Sequence, residues 1–550
     1  MAETIRGADI LVRALKQAGV SRIFSLSGNH IMPVYDALLG SGIEIIHTRH
    51  EAATVHMADA WARLTGEVGV ALVTGGQGHT NAVAGLPTAL AGEMPVLLLS
   101  GHAPNAELGL GAFQELEQAR MAEPVCKKAL TASTAEALAQ EVAGAIRLAR
   151  SGRPGPVHLS LPTDVLDARI APPTLRGPAA YAPAPMRLSA ESAAAIAAAI
   201  AAAERPVVVA PPALCTPPGR AALGALAARL GLRVVAMESP RGLGDPSLGA
   251  FAQALAEADL VVLLGKALDF TLRFGRAPAI PAAARFVVVE PDAALLARAA
   301  GSLGDRIAVA ALAGAAEAVA ALTPAAAPHG NAAWADRLGQ AIAFRPPGWA
   351  ALAGAPDGPI HPATLCHALR PFLDASPDAV LVCDGGEIGQ WAQSMLSGNA
   401  AEPHGPARII NGVAGAIGAA IPFALAARVA RPDAQILCVL GDGTFGFHMA
   451  EFDTAFRHGL PFVAVVGNDA KWNAEHQIQI REYGANRTHG CELAPGTRYD
   501  LVAAALGGHG EYVTRAEEIV PAVERAFASG KPACVNVLIE GQPAPAIRMA

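Results

Sequence analysis

Two apolar runs in the last third of the chain end in residues suited to phosphate and metal chemistry. QILCVL leads straight into Gly441-Asp442-Gly443, and PFVAVVG leads into Asn468-Asp469. Glycines at such a place let backbone amides approach a phosphate closely, and an aspartate offers a hard oxygen ligand. If both runs are parallel strands of one sheet, their carboxyl ends open on one crevice, and Asp442 and Asp469 can share one ion. Oxygen ligands favour Mg2+ over zinc. A tight turn after a strand is the alternative reading of Gly-Asp-Gly by itself, and the downstream Asn-Asp pair weighs against it.

A second constellation lies in IIHTRHEAATVHMADAWAR, where Glu51 directly follows a predicted strand and opens a helix with an apolar face. A carboxylate at that place either caps the helix or faces a ligand. His47, His50 and His56 have no fourth ligand at a familiar spacing and do not make a metal set. The third segment is INGVAGAIGAAIPFALAA, whose small residues let a helix pack closely against something large, with Ile417 the one bulky residue of its GAIG turn. Core packing explains this segment as well as a ligand does.

Parallel strands and helices must position these residues, and the chain supplies that pattern three times. Up to about Pro162, helical patterns such as GADILVRALKQAG alternate with the apolar runs RIFSLS, IEIIHT, VGVALVT and MPVLLLS, as in a doubly wound sheet. Residues from about Asp164 to Met186 read as an extended, proline-rich linker. RPVVVAP, LRVVAMES, ADLVVLLG and ARFVVVEP are the strands of a second unit, whose last helix runs out near Leu322. After the Pro-, Gly- and Ala-rich stretch from Thr323 to Pro362, a third unit carries VLVCDGG, QILCVLGDG, PFVAVVGND and ACVNVLIE. The expectation is an α/β fold of three doubly wound parallel-sheet domains, at 1–165, 187–322 and 360–550.

Composition bounds the function. A chain of 550 residues is too long for one ordinary core. With 16% charged and 52% hydrophobic residues it reads as a large globular protein with extensive internal or subunit contacts, not a disordered one. A net charge of −7, with no Lys/Arg cluster interleaved with aromatics, argues against nucleic acid as a partner. The seven cysteines are scattered without a C-x-x-C pair and read as buried thiols in a reducing compartment. MAETIRGADI has no basic region followed by an apolar stretch, so a cytoplasmic protein is expected. The most apolar run, Gly412 to Ala427, is shorter than a comfortable membrane span and reads as a buried helix.

Taken together, these segments resemble the thiamine diphosphate enzymes of the acetolactate synthase, benzaldehyde lyase and 2-hydroxyacyl-CoA lyase group. The RHE segment with Glu51, then VALVTGGQGHTNAVAGLPTAL, GAFQELEQ, the GAIG turn and the GDG-to-ND pair stand in that family's order over nearly the whole chain. The resemblance implies pyrimidine-binding, central and diphosphate-binding domains, with thiamine diphosphate and Mg2+ as cofactors. It implies that Glu51 hydrogen-bonds the cofactor's aminopyrimidine and drives its 4′-amino group to the imino form that takes the thiazolium C2 proton. It further implies that Ile417 wedges between the two cofactor rings and that the Gly415 carbonyl receives the amino group. Asp442, Asp469 and the backbone carbonyl of Lys471 would hold Mg2+, and Gly443 and Thr444 would donate to the phosphates. Where the family commonly has Asn-Asn, this chain has Asn468-Asp469; an aspartate is still a competent oxygen ligand and adds a negative charge.

On the substrate side, His30 in SGNHIMPVYDAL and Gln114 in GAFQELEQ resemble the histidine and glutamine that the family places near the reacting carbonyl. His30 would relay a proton, or else merely cap a helix, and Gln114 would bind the carbonyl or alkoxide oxygen. Phe113 would shape the pocket, and Asn411 matches a site where some relatives carry histidine. Because the family's cofactor lies between the first domain of one chain and the third of another, a homodimer or homotetramer is implied. The central domain binds FAD, ADP or a CoA nucleotide in some members and nothing in many, and the PRGLGDPSLG loop fits a plain turn as well.

Members share the cofactor's carbanion chemistry and differ in the donor. GAFQE is shared with acetolactate synthases, but AKWNAEHQIQIREYG lacks the Gln-Trp pair of the biosynthetic enzyme and has Gln477-Ile478 instead. GNDAKWN, EFDTAFRHGLP, SGNH and LGKALDFTLRFG stand closer to the lyase branch. The leading expectation is a lyase that splits a 2-hydroxyacyl-CoA into formyl-CoA and an aldehyde, or runs the reverse condensation. The alternatives are an acetolactate synthase-like carboligase or decarboxylase acting on pyruvate or another 2-keto acid, and a cofactor-binding paralogue without turnover, against which the retained Glu51 argues.

Overall fold

The computed structural model describes residues 4–352, 358–397 and 406–549. The chain forms two compact units, residues 1–185 and 186–550. In the first, β1 (Ile5–Arg6) pairs antiparallel with β8 (Arg169–Ile170), so the start of the stretch read as a linker is tied back to the N-terminus. Between them runs a parallel sheet of β2 (Arg22–Ser25), β3 (Glu44–His47), β4 (Gly69–Val73), β5 (Val96–His102), β6 (Lys128–Thr131) and β7 (Val157–Pro162), in the order β3-β2-β4-β5-β7-β6. The central strands β4, β5 and β7 are buried along their whole length. Helices cover such a sheet on both faces, which is why β4 and β5 read as continuous apolar runs; β7, VHLSLP, alternates with the buried His158 and Ser160 and escapes that pattern.

The second unit holds two sheets. The first is β9 (Pro206–Ala210), β10 (Val234–Ala236), β11 (Leu260–Leu264), β12 (Arg285–Glu290) and β13 (Ile307–Leu312), ordered β10-β9-β11-β12-β13. The other is β14 (Val380–Cys383), β15 (Ala407–Ile410), β16 (Ile436–Gly441), β17 (Val463–Asn468), β18 (His509–Val513) and β19 (Ala533–Leu538), ordered β15-β14-β16-β17-β19-β18. Both are parallel throughout. The Pro-, Gly- and Ala-rich stretch from Thr323 to Pro362 contains the helix Ala332–Ala343, whose Trp334, Leu338, Ala341 and Ile342 are buried in the core of the central sheet. Its Ala-rich sequence hides a regular apolar stripe.

Arg408, on β15, joins the two sheets of this unit. Its guanidinium donates to Glu238 Oε1 at 2.9 and 2.7 Å and stands 3.7 Å from Asp245, with all three side chains nearly inaccessible to water. Asp245 lies within the PRGLGDPSLG loop and Glu238 two residues before it, so the ion pair ties this loop to β15. Among the described residues no helix is long and apolar enough to cross a membrane.

Candidate active site

Register places the first constellation. Gly441 lies opposite Gly467 in the β16–β17 pair, so Asp442 and Asn468-Asp469 leave neighbouring strands at one level, at the carboxyl edge of the sheet. Asp442 opens the helix Asp442–His448 and is 2% exposed. Its Oδ1 accepts the Gly443 N–H at 2.8 Å, whereas its buried Oδ2 has no hydrogen-bond partner. Burial pushes the Asp442 carboxyl up to about 6. Burial and the neighbouring Asp442 charge push Asp469 up to about 7. Two carboxylates that desolvate and repel each other, one with an unpaired oxygen, form a site that a hard cation would relieve. Among the described residues no three His, Cys, Asp or Glu side chains converge, so an ion here would complete its shell with backbone, phosphate or water oxygens.

A backbone oxygen is at hand. Ala470 sits at φ +54°, a conformation uncommon for alanine, and this turn brings the Lys471 N–H to within 3.2 Å of Asp469 Oδ1. Lys471 forms an antiparallel bridge with Glu492, made by the Leu493 N–H to the Ala470 carbonyl at 2.7 Å and the Trp472 N–H to the Cys491 carbonyl at 2.7 Å. In such a bridge the middle residue's own N–H and carbonyl point away from the partner segment. The Lys471 carbonyl is thus turned to the side that holds Asp469. Asn468 is spent on structure: its amide donates to the Thr497 carbonyl and to Asn536 Oδ1. Of the Asn-Asp pair, only Asp469 is left for an ion.

Gly443, Thr444, Ile417 and Gly386 line one crevice together with Asp442, Lys471 and Trp472. A Cβ on Gly443 would stand 2.8 Å from the Trp472 ring, and one on Gly385 would stand 2.5 Å from Ile417 Cγ2 and 2.6 Å from Thr444 Oγ1. The glycines are therefore required by close approach. Gly415, at φ +68°, turns the chain ahead of Ile417, and the buried helix Ala420–Ala430 follows. The apolar run from Gly412 is thus a turn as far as Gly418 and a helix only after it.

Glu51, His30 and Gln114 belong to the first unit. Glu51 is the first residue of the helix Glu51–Thr65, but His50 is its cap, with Nδ1 accepting the Ala52 N–H at 3.1 Å. The Glu51 carboxylate is therefore not consumed as a cap, and its Oε2 accepts from Asn81 Nδ2 at 3.0 Å. Thr74, at the end of β4, ties the group together. It lies 3.3 Å from His30 Nδ1, and a Cβ on Gly78 would stand 2.7 Å from Thr74 Cγ2 and 3.4 Å from Glu51 Oε1. His30 is 4% exposed and stacks on Phe113, with ring centroids 5.8 Å apart. Burial lowers its pKa, a hydrogen bond to the Phe113 backbone opposes this, and His102 adds to the lowering. Gln114 takes φ +56° beside Gly76. The Gly76 N–H donates to Gln118 Oε1 at 2.8 Å, and Gln118 Nε2 donates to the Gly101 carbonyl and Ser160 Oγ.

Sequence reasoning missed Asn81, Thr74, Gln118 and Asp384. Asp384 alone had a legible signal, because CDGG after an apolar run repeats the pattern of LGDG. Asn411 is 7% exposed, and its Oδ1 has no hydrogen-bond partner.

Residues 5–121 match the model of the thiamine pyrophosphate enzyme N-terminal TPP-binding domain, and residues 384–537 that of the C-terminal TPP-binding domain. The chain is similar to a probable acetolactate synthase of Mycobacterium bovis, 33% identical over 98% of this chain and 96% of the relative. It is also similar to 2-hydroxyacyl-CoA lyase 2 of Bos taurus, 31% identical over 98% and 90%, and to that of Homo sapiens, 30% identical over 97% and 90%. The chain belongs to the thiamine pyrophosphate enzyme family. Thiamine diphosphate is its cofactor, and its work is enzymatic.

Proposed function

We propose that this enzyme makes or breaks a carbon–carbon bond next to a carbonyl with the help of Mg2+, and that its reaction is the reversible cleavage of a 2-hydroxyacyl-CoA into formyl-CoA and an aldehyde. The observation that carries the shared chemistry is the Asp442–Asp469 pair, with its unpaired buried oxygen beside the glycine-lined crevice. When bound, thiamine diphosphate supplies a carbanion nucleophile and an electron sink. Asp442, Asp469 and the Lys471 carbonyl would hold the ion, and the backbone of Gly443 and Thr444 would receive the diphosphate. Ile417 and the Gly415 carbonyl would orient the rings, and Glu51, steadied by Asn81, would bind the aminopyrimidine. His30, whose pKa burial lowers, is suited to relaying a proton at the substrate oxygen, and Gln114 to donating a hydrogen bond to it.

The lyase reading is supported by the GNDAKWN segment, the SGNH start and the lyase relatives. A second reading, acetolactate formation from pyruvate, is favoured by the 33% identical relatives. Against it, the position of the biosynthetic Gln-Trp pair holds Gln477, engaged with Asn473 and the Gly541 carbonyl, and Ile478, 44% exposed. Purified protein with thiamine diphosphate and Mg2+ would be given pyruvate, oxalyl-CoA, benzoin or a 2-hydroxyacyl-CoA in parallel, with products identified by mass spectrometry. Formyl-CoA plus aldehyde is expected, and acetolactate from pyruvate would replace this reading with the second.

A further inference from the structure

The turn that carries Gly415 and Ile417 is gripped at Gly418 from two sides. Asp384, the residue after β14, accepts the N–H groups of Gly418 at 3.0 Å and Ala420 at 2.8 Å on Oδ2, and that of Gly385 at 2.6 Å on Oδ1. Opposite it, His448 Nδ1 lies 2.7 Å from the Gly418 carbonyl oxygen and donates to it. His448 is the last residue of the helix that Asp442 opens. Asp384 is 2% and His448 8% exposed. Neither lines the crevice; both lie behind it.

The contacts leave the turn little freedom. Gly418 sits at φ +96°, and a Cβ there would stand 2.6 Å from Phe447. Gly385, held by Asp384, is the residue against which both Ile417 and Thr444 press. One carboxylate thus fixes the loop after β14 and the start of the helix Ala420–Ala430, while one imidazole fixes the same turn to the helix of Asp442 and Thr444. Only an acceptor on both oxygens can serve three N–H groups. An amide would turn its own N–H2 against at least one of them.

We propose that Asp384 and His448 are positioning residues which, acting through Gly418, set where Ile417 and the Gly415 carbonyl stand relative to Asp442 and Thr444, and so set the angle between the two rings of the bound cofactor. This rests on the reading of the crevice as the cofactor's seat given above. Reacting groups misplaced by about 1 Å lose on the order of 10²-fold in rate.

The test uses the full-length holoprotein and the variants Asp384→Asn, His448→Leu and His448→Asn. Thiamine diphosphate affinity is measured by calorimetry in the presence of Mg2+, and hydrogen–deuterium exchange at cofactor C2 is followed by quenched-flow NMR on the saturated protein. Asp384→Asn and His448→Leu are expected to slow exchange on the order of 10²-fold at saturation, with affinity changed less than about tenfold. His448→Asn, whose amide nitrogen takes the place of Nδ1, is expected to restore exchange to within a few-fold of the wild type. Variants that lose affinity or thermal stability yet exchange at the wild-type rate once saturated would overturn the proposal. If Asp384→Asn does not fold, the two His448 variants decide. A wild-type protein that neither binds thiamine diphosphate nor catalyses C2 exchange would instead overturn the reading of the crevice.

Discussion

Glu51 shows how a residue at a helix start can be kept free for chemistry. His50 takes the capping bond, and Asn81, itself held by Gln77 Nε2 at 3.1 Å, steadies the carboxylate. Glu51→Gln should keep the fold and cofactor binding and lower kcat on the order of 10²- to 10⁴-fold. Asn81→Ala should lower it less, about tenfold. Steady-state kinetics at saturating cofactor checks both, and a Glu51→Gln variant with wild-type kcat would remove Glu51 from the mechanism. Also at the residue scale, His79 and His158 lie buried with ring centroids 4.5 Å apart. Burial pushes His79 down to about 4 and His158 well below its ordinary value. Below pH 6.5 the unfolded chain therefore binds more protons than the folded one. The stability these neutral rings contribute is fully present above pH 6.5 and is lost as pH falls toward 4, by roughly 3 kcal/mol for His79 alone. Urea unfolding at pH 7.5 and pH 5 should show the midpoint falling with acid, and His79→Gln should flatten the slope; an unchanged slope would mean the rings are not held neutral.

At the scale of elements, β15 and the loop after β10 depend on Arg408. Removing the guanidinium in Arg408→Leu leaves Glu238 and Asp245 buried without a cation, which should destabilise the second unit by about 3–5 kcal/mol. The double variant Arg408→Leu with Glu238→Leu should recover part of that loss, because replacing a buried pair by apolar groups is often nearly neutral. The first transition in urea unfolding reports both. A single variant as stable as the wild type would show that the pair contributes nothing.

For the whole molecule, the first unit holds Glu51, His30 and Gln114, and the second holds Asp442, Asp469 and Ile417. We propose a homodimer or homotetramer in which chains share these groups. Glu51→Gln and Asp442→Asn, each inactive alone, should regain activity when unfolded together and refolded, up to about a quarter of the wild type if chains mix at random into dimers. No regain, with mixed oligomers shown by native mass spectrometry, would contradict sharing.

The sequence by itself determined the α/β class, most of the strands that run through sheet centres, and the order of Glu51, the GAIG turn, Asp442 and Asp469. Central strands are apolar on both faces and turn glycines are chemically distinctive, so each leaves a local mark. The strands it did not reveal include β6, β13, β15 and β18 at sheet edges, where one side needs no partner and the apolar pattern weakens, and the interior β7, whose apolar run is broken by His158 and Ser160. It left open whether Glu51 caps its helix and whether His30 does, because both alternatives use the same residue at the same position. Only the tertiary structure decided that His50 takes the Glu51 helix cap, that Asn468 serves the core while Asp469 faces Asp442, and that Asn81, Gln118, Asp384 and His448 support the site. Those contacts join residues up to 68 positions apart, and a hydrogen bond between distant segments exists only once the sheets have brought them together.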